Sequence, residues 1–93
     1  MHEVTMSVRP RLASHARLQW DAVREKQVVL TPEGVLVLNT TASAILALCD
    51  GQRSVSEIAA ELSAQYNRTV DSDVLAFLNR LASKGLLEFD GKE

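Results

Sequence analysis

The side chains able to do chemistry are few and poorly placed to act together. Histidine occurs twice, at His2 and His15, and cysteine once, at Cys49. Zinc sites need three or four ligands at short repeating spacings. Neither histidine has a second at such spacing, and no HExxH or cysteine pair occurs. Cys49 falls on the apolar stripe of a predicted helix beside Leu46 and Leu48, where a thiol acts as a small hydrophobe. The carboxylates have structural explanations. Glu57 caps a helix, Asp71 and Asp73 favour another helix N-terminus, Asp50 braces a turn beside Gly51, and Glu61 is solvated. The isolated glycines form no loop that cradles a phosphate. No enzyme activity, metal or cofactor is therefore expected.

Charge weighs against a further class. Residues 1–30 carry five basic against three acidic groups and residues 31–93 carry five against nine, which together give the net charge of −2. Proteins that bind duplex nucleic acid by neutralising phosphates show a basic face. Here the predicted recognition helix would lead with Asp71 and Asp73, which repel phosphates. Nucleic acid is not an expected partner, although a winged-helix nucleic-acid-binding module stays the alternative reading of the helix pair. No apolar run approaches 18 residues, and Met1 to Val8 lack the apolar block of a secretory signal. No membrane partner is expected. One cysteine suits a reducing, cytoplasmic setting.

The elements that must position any site follow from periodicity. Residues 1–14 show no sustained period and are expected to be a partly ordered tail; the alternative is that Val8 and Leu12 pack on the body. The domain proper is expected over 15–89, with fraying over 90–93. Ala16, Leu18 and Trp20 alternate with Arg17, Gln19 and Asp21, the two-residue period of a strand. After a polar turn come two more strands, Gln27 to Leu30 and Val35 to Leu38. Thr31-Pro32-Glu33-Gly34 is a strong turn signal between them. The last of the three strands is apolar at every position. Either both its faces are covered, or its edge and an adjoining groove accept an extended peptide as a further strand. Self-pairing into a dimer would compete for that edge.

Three helices follow. The first is capped from Asn39-Thr40-Thr41 and buries Ala42, Ile45, Leu46 and Cys49. The second opens with Ser54 and Glu57 in capping-box spacing and runs about twelve residues. The third starts near Thr69 or Asp71, carries Val74, Phe77, Leu78, Leu81 and Ala82 on its apolar face, and stops at Gly85. Leu86 to Phe89 form a short strand or packed tail. The expected fold is α+β and winged-helix-like, an N-terminal three-stranded antiparallel sheet followed by a three-helix bundle.

One combination is more specific than any of these signals. Trp20-Asp21, Arg24, Pro32-Glu33-Gly34, Leu38-Asn39, Ala42, Ile45-Leu46 and Asp50-Gly51, set within residues 9–89, resemble the coenzyme PQQ synthesis protein D (PqqD) family. The resemblance implies a non-catalytic peptide chaperone. Such a protein holds the precursor (leader) peptide of pyrroloquinoline quinone and delivers it to a radical S-adenosylmethionine enzyme, which joins a glutamate to a tyrosine within the peptide. It further implies that the leader adds as a strand along Val35, Leu36, Val37 and Leu38. The exposed members of Val74, Leu75, Leu78 and Arg80 would line the opposite wall, with Arg80 available to an acidic leader residue. Trp20 is expected in the core beneath the sheet, with an enzyme-facing position as the alternative. Asp21, Arg24 and Glu33 are expected to form a network holding the hairpin or a surface for the enzyme. A monomer or weak homodimer is expected.

Overall fold

The computed structural model describes residues 4–90. The elements are β1 (Arg9–Leu12), β2 (Arg17–Asp21), β3 (Lys26–Thr31), β4 (Gly34–Val37), α1 (Thr40–Ala47), α2 (Val55–Tyr66), α3 (Asp71–Ser83) and β5 (Leu87–Asp90). Strands β2, β3 and β4 form an antiparallel meander in that order, and β1 pairs with β5 in a separate antiparallel ribbon. The α+β winged-helix-like reading thus holds, with one ribbon added to it.

Each hairpin turn is explained by its own residues. Between β2 and β3, Asp21 Oδ1 accepts from the backbone N–H groups of Val23 (3.0 Å) and Arg24 (3.1 Å), and Glu25 takes a left-handed φ of 57°. Between β3 and β4, Thr31 Oγ1 accepts from Glu33 N (3.1 Å) and Gly34 N (3.1 Å). Gly34 follows with φ +148°, a region open to glycine and strained for other residues. The helices obey local rules as well. Asn39 caps α1 through Ala42 N (2.8 Å), and Ser54 and Glu57 form a complete capping box on α2, which ends at left-handed Asn67.

The core gathers Val29 and Leu38 from the sheet with Ile45, Ile58, Leu62, Val74, Leu78 and Leu81 from the helices. Cys49 lies in it, its Sγ donating to Ile45 O (3.3 Å), and burial pushes its thiol pKa up to about 12. A thiol held protonated in this way is no nucleophile.

From Val4 onward the N-terminal segment follows the alternative to the tail expected over 1–14: Val8 lies in the core and Leu12 packs against it. Val4, Val8, Pro10 and Ala13 are all buried. The carbonyls of Val8 and Met6 accept from Val55 N and Ser56 N (both 2.9 Å), first-turn donors of α2 that have no partner within their helix. Pro10 O accepts from Gly51 N (3.0 Å), and β1 then pairs Arg9 with Asp90 through Leu12 with Leu87. This strap is ordered by partners more than 40 residues away in sequence, so it leaves no local period to read. Of the expected C-terminal fraying, Asp90 is paired in β5, and residues 91–93 lie outside the described residues, as does His2.

Candidate functional site

The third strand of the meander, β4, decides what the molecule can bind. It pairs with β3 through Val28–Val37, Val29–Leu36, Leu30–Val35 and Thr31–Gly34, and among the described residues nothing pairs with its other edge. Leu38 N donates to Gln27 O (3.0 Å), which continues this register. Antiparallel ladders alternate between pairs that exchange bonds and pairs that do not. Gln27–Leu38 and Val29–Leu36 therefore bond across the ladder, and the N–H and C=O groups of Val35 and Val37 point to the open edge. The side chains alternate too. Leu38 is buried and Leu36 half-buried on the core side, while Val35 (52% exposed) and Val37 (42% exposed) stand on the opposite face. Of the four residues expected to offer an edge, only Val35 and Val37 present main-chain groups there. Leu36 and Leu38 turn theirs inward to β3.

Beside this edge runs α3, with a cleft at each end of the strand. One, of about 650 Å³, lies among Val37, Leu38, Ala42, Ala76, Phe77 and Arg80. The other, of about 380 Å³, lies among Val35, Leu36, Glu33, Lys84 and Leu86. As β4 runs from Val35 to Val37, the neighbouring wall thus runs back from Lys84 to Arg80. The wall is made by Asp73, Ala76, Phe77, Arg80 and Lys84, which recur at helical spacing. The expected lining is corrected accordingly. Val74 and Leu78 are both 0% exposed, because they form the stripe by which α3 packs on the core, and Leu75 is half-buried against the same core. Arg80 alone of that set lines the groove; its guanidinium lies over the Phe77 ring, 5.8 Å from the centroid.

Trp20, expected beneath the sheet, is 53% exposed. Its side chain points to the same face as Val29, but β2 is the outer strand and overhangs the body. The alternation gave the correct face, and the overhang leaves it uncovered. Leu18 and Val23 are exposed on the same hairpin.

Asp21, Arg24 and Glu33 do not form one network. Asp21 and Arg24 are an ion pair at the β2–β3 turn. Backbone N–H donation from Arg24, reinforced by its guanidinium, holds the Asp21 carboxyl below its ordinary range. Glu33 sits at the β3–β4 turn, the other end of the sheet. Asp50 plays the bracing role expected of it. It accepts from Gln52 N (2.9 Å) and Arg53 N (3.3 Å), and donation from Gln52 is the main cause lowering its pKa. Among the described residues no three His, Cys, Asp or Glu side chains are grouped to hold a metal ion.

Sequence reasoning missed the groove-lining residues Phe77, Ala76, Asp73 and Lys84. The signal was present: once the core stripe of Val74, Leu78 and Leu81 is removed from α3, these residues and Arg80 remain as a second stripe at offsets of 3, 4, 7 and 11.

The profile of the family described as coenzyme PQQ synthesis protein D (PqqD) matches residues 26–87. A PqqA binding protein from Rhodopseudomonas palustris (strain BisB5) is 44% identical over 87 residues, spanning 90% of this chain and 85% of that one. Two solved structures superpose well. The first is the solution NMR structure of the PqqD truncation of Methylobacterium extorquens PqqCD, which represents a functional, stand-alone recognition element for ribosomally synthesized and post-translationally modified peptides. It is 40% identical, with a TM-score of 0.77, covering 91% of this chain and 94% of that one. The second is the crystal structure of PqqD from Xanthomonas campestris, 32% identical, with a TM-score of 0.58, covering 83% and 89%. On sequence and fold together, the chain belongs to the coenzyme PQQ synthesis protein D family.

Proposed function

We propose that this chain is a peptide chaperone: it binds the precursor peptide of pyrroloquinoline quinone as a fourth strand on β4 and presents it to a radical S-adenosylmethionine enzyme. The observation that carries this reading is the open β4 edge, where Val35 and Val37 offer main-chain donors and acceptors beside a groove walled by α3. An edge of this kind is usually guarded, and strand addition is the common use of one left open. The PqqA-binding relatives and the recognition element of Methylobacterium extorquens support the choice of ligand.

The mechanism is positioning. The peptide loses conformational entropy when it docks, and docking of the complex on the enzyme raises the local concentration of substrate at the reacting centre. Trp20 and Leu18, exposed on β2 at the far edge of the sheet from the groove, are the surface we assign to the enzyme. The two partners then occupy opposite edges of one three-stranded sheet, the added peptide strand lying three spacings of about 4.8 Å, roughly 14 Å, from β2. The setting that goes with this reading is the cytoplasm.

An amide chemical-shift titration tests both halves. Precursor peptide should shift residues 35–38 and the exposed face of α3. The modifying enzyme, added next, should broaden β2. Amides of β4 that stay unmoved at saturating peptide would refute strand addition, and a β2 hairpin untouched by the enzyme would refute the docking surface.

A further inference from the structure

The groove has a charge pattern with a spacing, and the spacing specifies a ligand. The titratable groups lining the two clefts are Lys26, Arg80, Lys84, Asp73 and Glu33, a local excess of one positive charge in a chain of net charge −2. Asp73 is already engaged by Arg68 at 3.3 Å. On the α3 wall this leaves two exposed cations four residues apart, Arg80 beside Val37 and Lys84 beside Val35. Four residues of helix rise about 6 Å. Alternate residues of a strand, which point to the same face, are about 6.7 Å apart. The two repeats match.

The faces match as well. Because Val74, Leu78 and Leu81 share a core with Val29 and Leu38, α3 lies on the core side of the sheet. In an added strand the residues opposite Leu36 and Leu38 turn toward that side and meet Lys84 and Arg80. The residue between them, opposite Val37, turns to the outer face, where exposed Val35 and Val37 and half-buried Leu30 form an apolar surface. Resting on the strand-addition reading above, we infer that the groove selects a segment of the form acidic–apolar–acidic, its two carboxylates seated on Arg80 and Lys84. Arg80 is set for this by its stacking on Phe77, which limits the rotamers the guanidinium must give up on pairing.

The test is a binding matrix using the precursor peptide as probe. Its bound segment is first delimited by amide shifts, and affinity is then measured by calorimetry at low and at high salt. Arg80→Glu and Lys84→Glu should each weaken binding roughly 5- to 20-fold, a rim attraction turned into a repulsion. Both side chains are exposed, so the thermal melts should match that of the parent chain. A peptide whose two acidic residues are changed to lysine should bind the parent chain poorly and regain affinity on the R80E/K84E double variant. That reciprocal recovery is one a purely structural role would not produce. Equal affinities across the matrix, insensitivity to salt, or a bound segment without such an acidic pair would overturn the inference. Val37→Pro separates it from the underlying reading. If V37P weakens binding while R80E and K84E do not, the charge pattern falls and strand addition stands. If V37P has no effect, or the parent chain does not bind the peptide, both fall.

Discussion

Replacing Val37 with proline isolates the open edge from the rest of the fold. In a central strand proline removes a ladder bond, but the register places the Val37 N–H on the side away from β3. The bonds that Leu36 and Leu38 make to β3 remain, and Leu36 keeps the extended conformation that a following proline favours. What is lost is one donor to an incoming strand, and the ring stands where that strand's carbonyl must approach. A carbonyl left buried without its partner costs about 1–3 kcal/mol. At 1.4 kcal/mol per decade this is roughly a 5- to 150-fold rise in Kd. Calorimetry with the precursor peptide measures it, with Val37→Ala as the control that trims the side chain and keeps the donor. Leu36→Pro should behave in the opposite sense, breaking the pairing with Val29 and lowering the melting temperature. A folded V37P protein with the affinity of the parent chain would refute the assignment of the edge, and a V37P as unstable as L36P would refute the register.

Other expectations follow from the same structure. Leu78→Ala should cost about 2–5 kcal/mol of stability, because it opens a cavity in the core; a denaturant melt reads this, and a loss of peptide affinity without a loss of stability would contradict its burial. Deleting residues 1–8 strips the acceptors from Val55 N and Ser56 N and exposes the core, so the shortened chain should melt at clearly lower temperature by circular dichroism. Asp21 and Asp50 both titrate below the ordinary value of 3.8, so the stability they add is complete above that value and is lost as pH falls through their lowered pKa values. Asp21→Asn with Asp50→Asn should therefore flatten the fall of melting temperature below about pH 4, and an unchanged acid limb would show that neither carboxylate is engaged. Cys49 should resist a thiol-specific disulfide reagent in the native state and react fully once the chain is unfolded, as its raised pKa and burial require.

What could be read in the sequence divides by the distance between interacting residues. The capping box at Ser54, the Thr31–Gly34 turn and the stripe of α2 are each specified within a few positions, and all three are found where their residues place them. The β1–β5 ribbon joins residues nearly 80 positions apart, and Pro10, a residue type suited to strand edges, is packed in β1 with its carbonyl accepting from Gly51 N. Trp20 shows a different limit. Period two assigns a side chain to one of two faces, but whether that face is covered depends on how far the helices extend under the sheet. The α3 wall lay between these cases. Its apolar residues were identified, yet those that look most like a binding surface in sequence are the ones the core consumes. The groove is left to a mixed stripe of Asp73, Ala76, Phe77, Arg80 and Lys84.

The brevity of β4 has its own consequence. A turn closes the strand at Gly34 and the cap of α1 begins at Asn39, so only two rungs of the backbone ladder face outward. Two rungs support at most four main-chain bonds, each contributing about 1 kcal/mol net. That is too short a template for copies of the chain to stack into an extended aggregate, and too weak a grip to retain any sequence that the flanking side chains do not also accept. A carrier built this way discriminates through its walls and lets go quickly, which suits a protein that must surrender its cargo at every cycle.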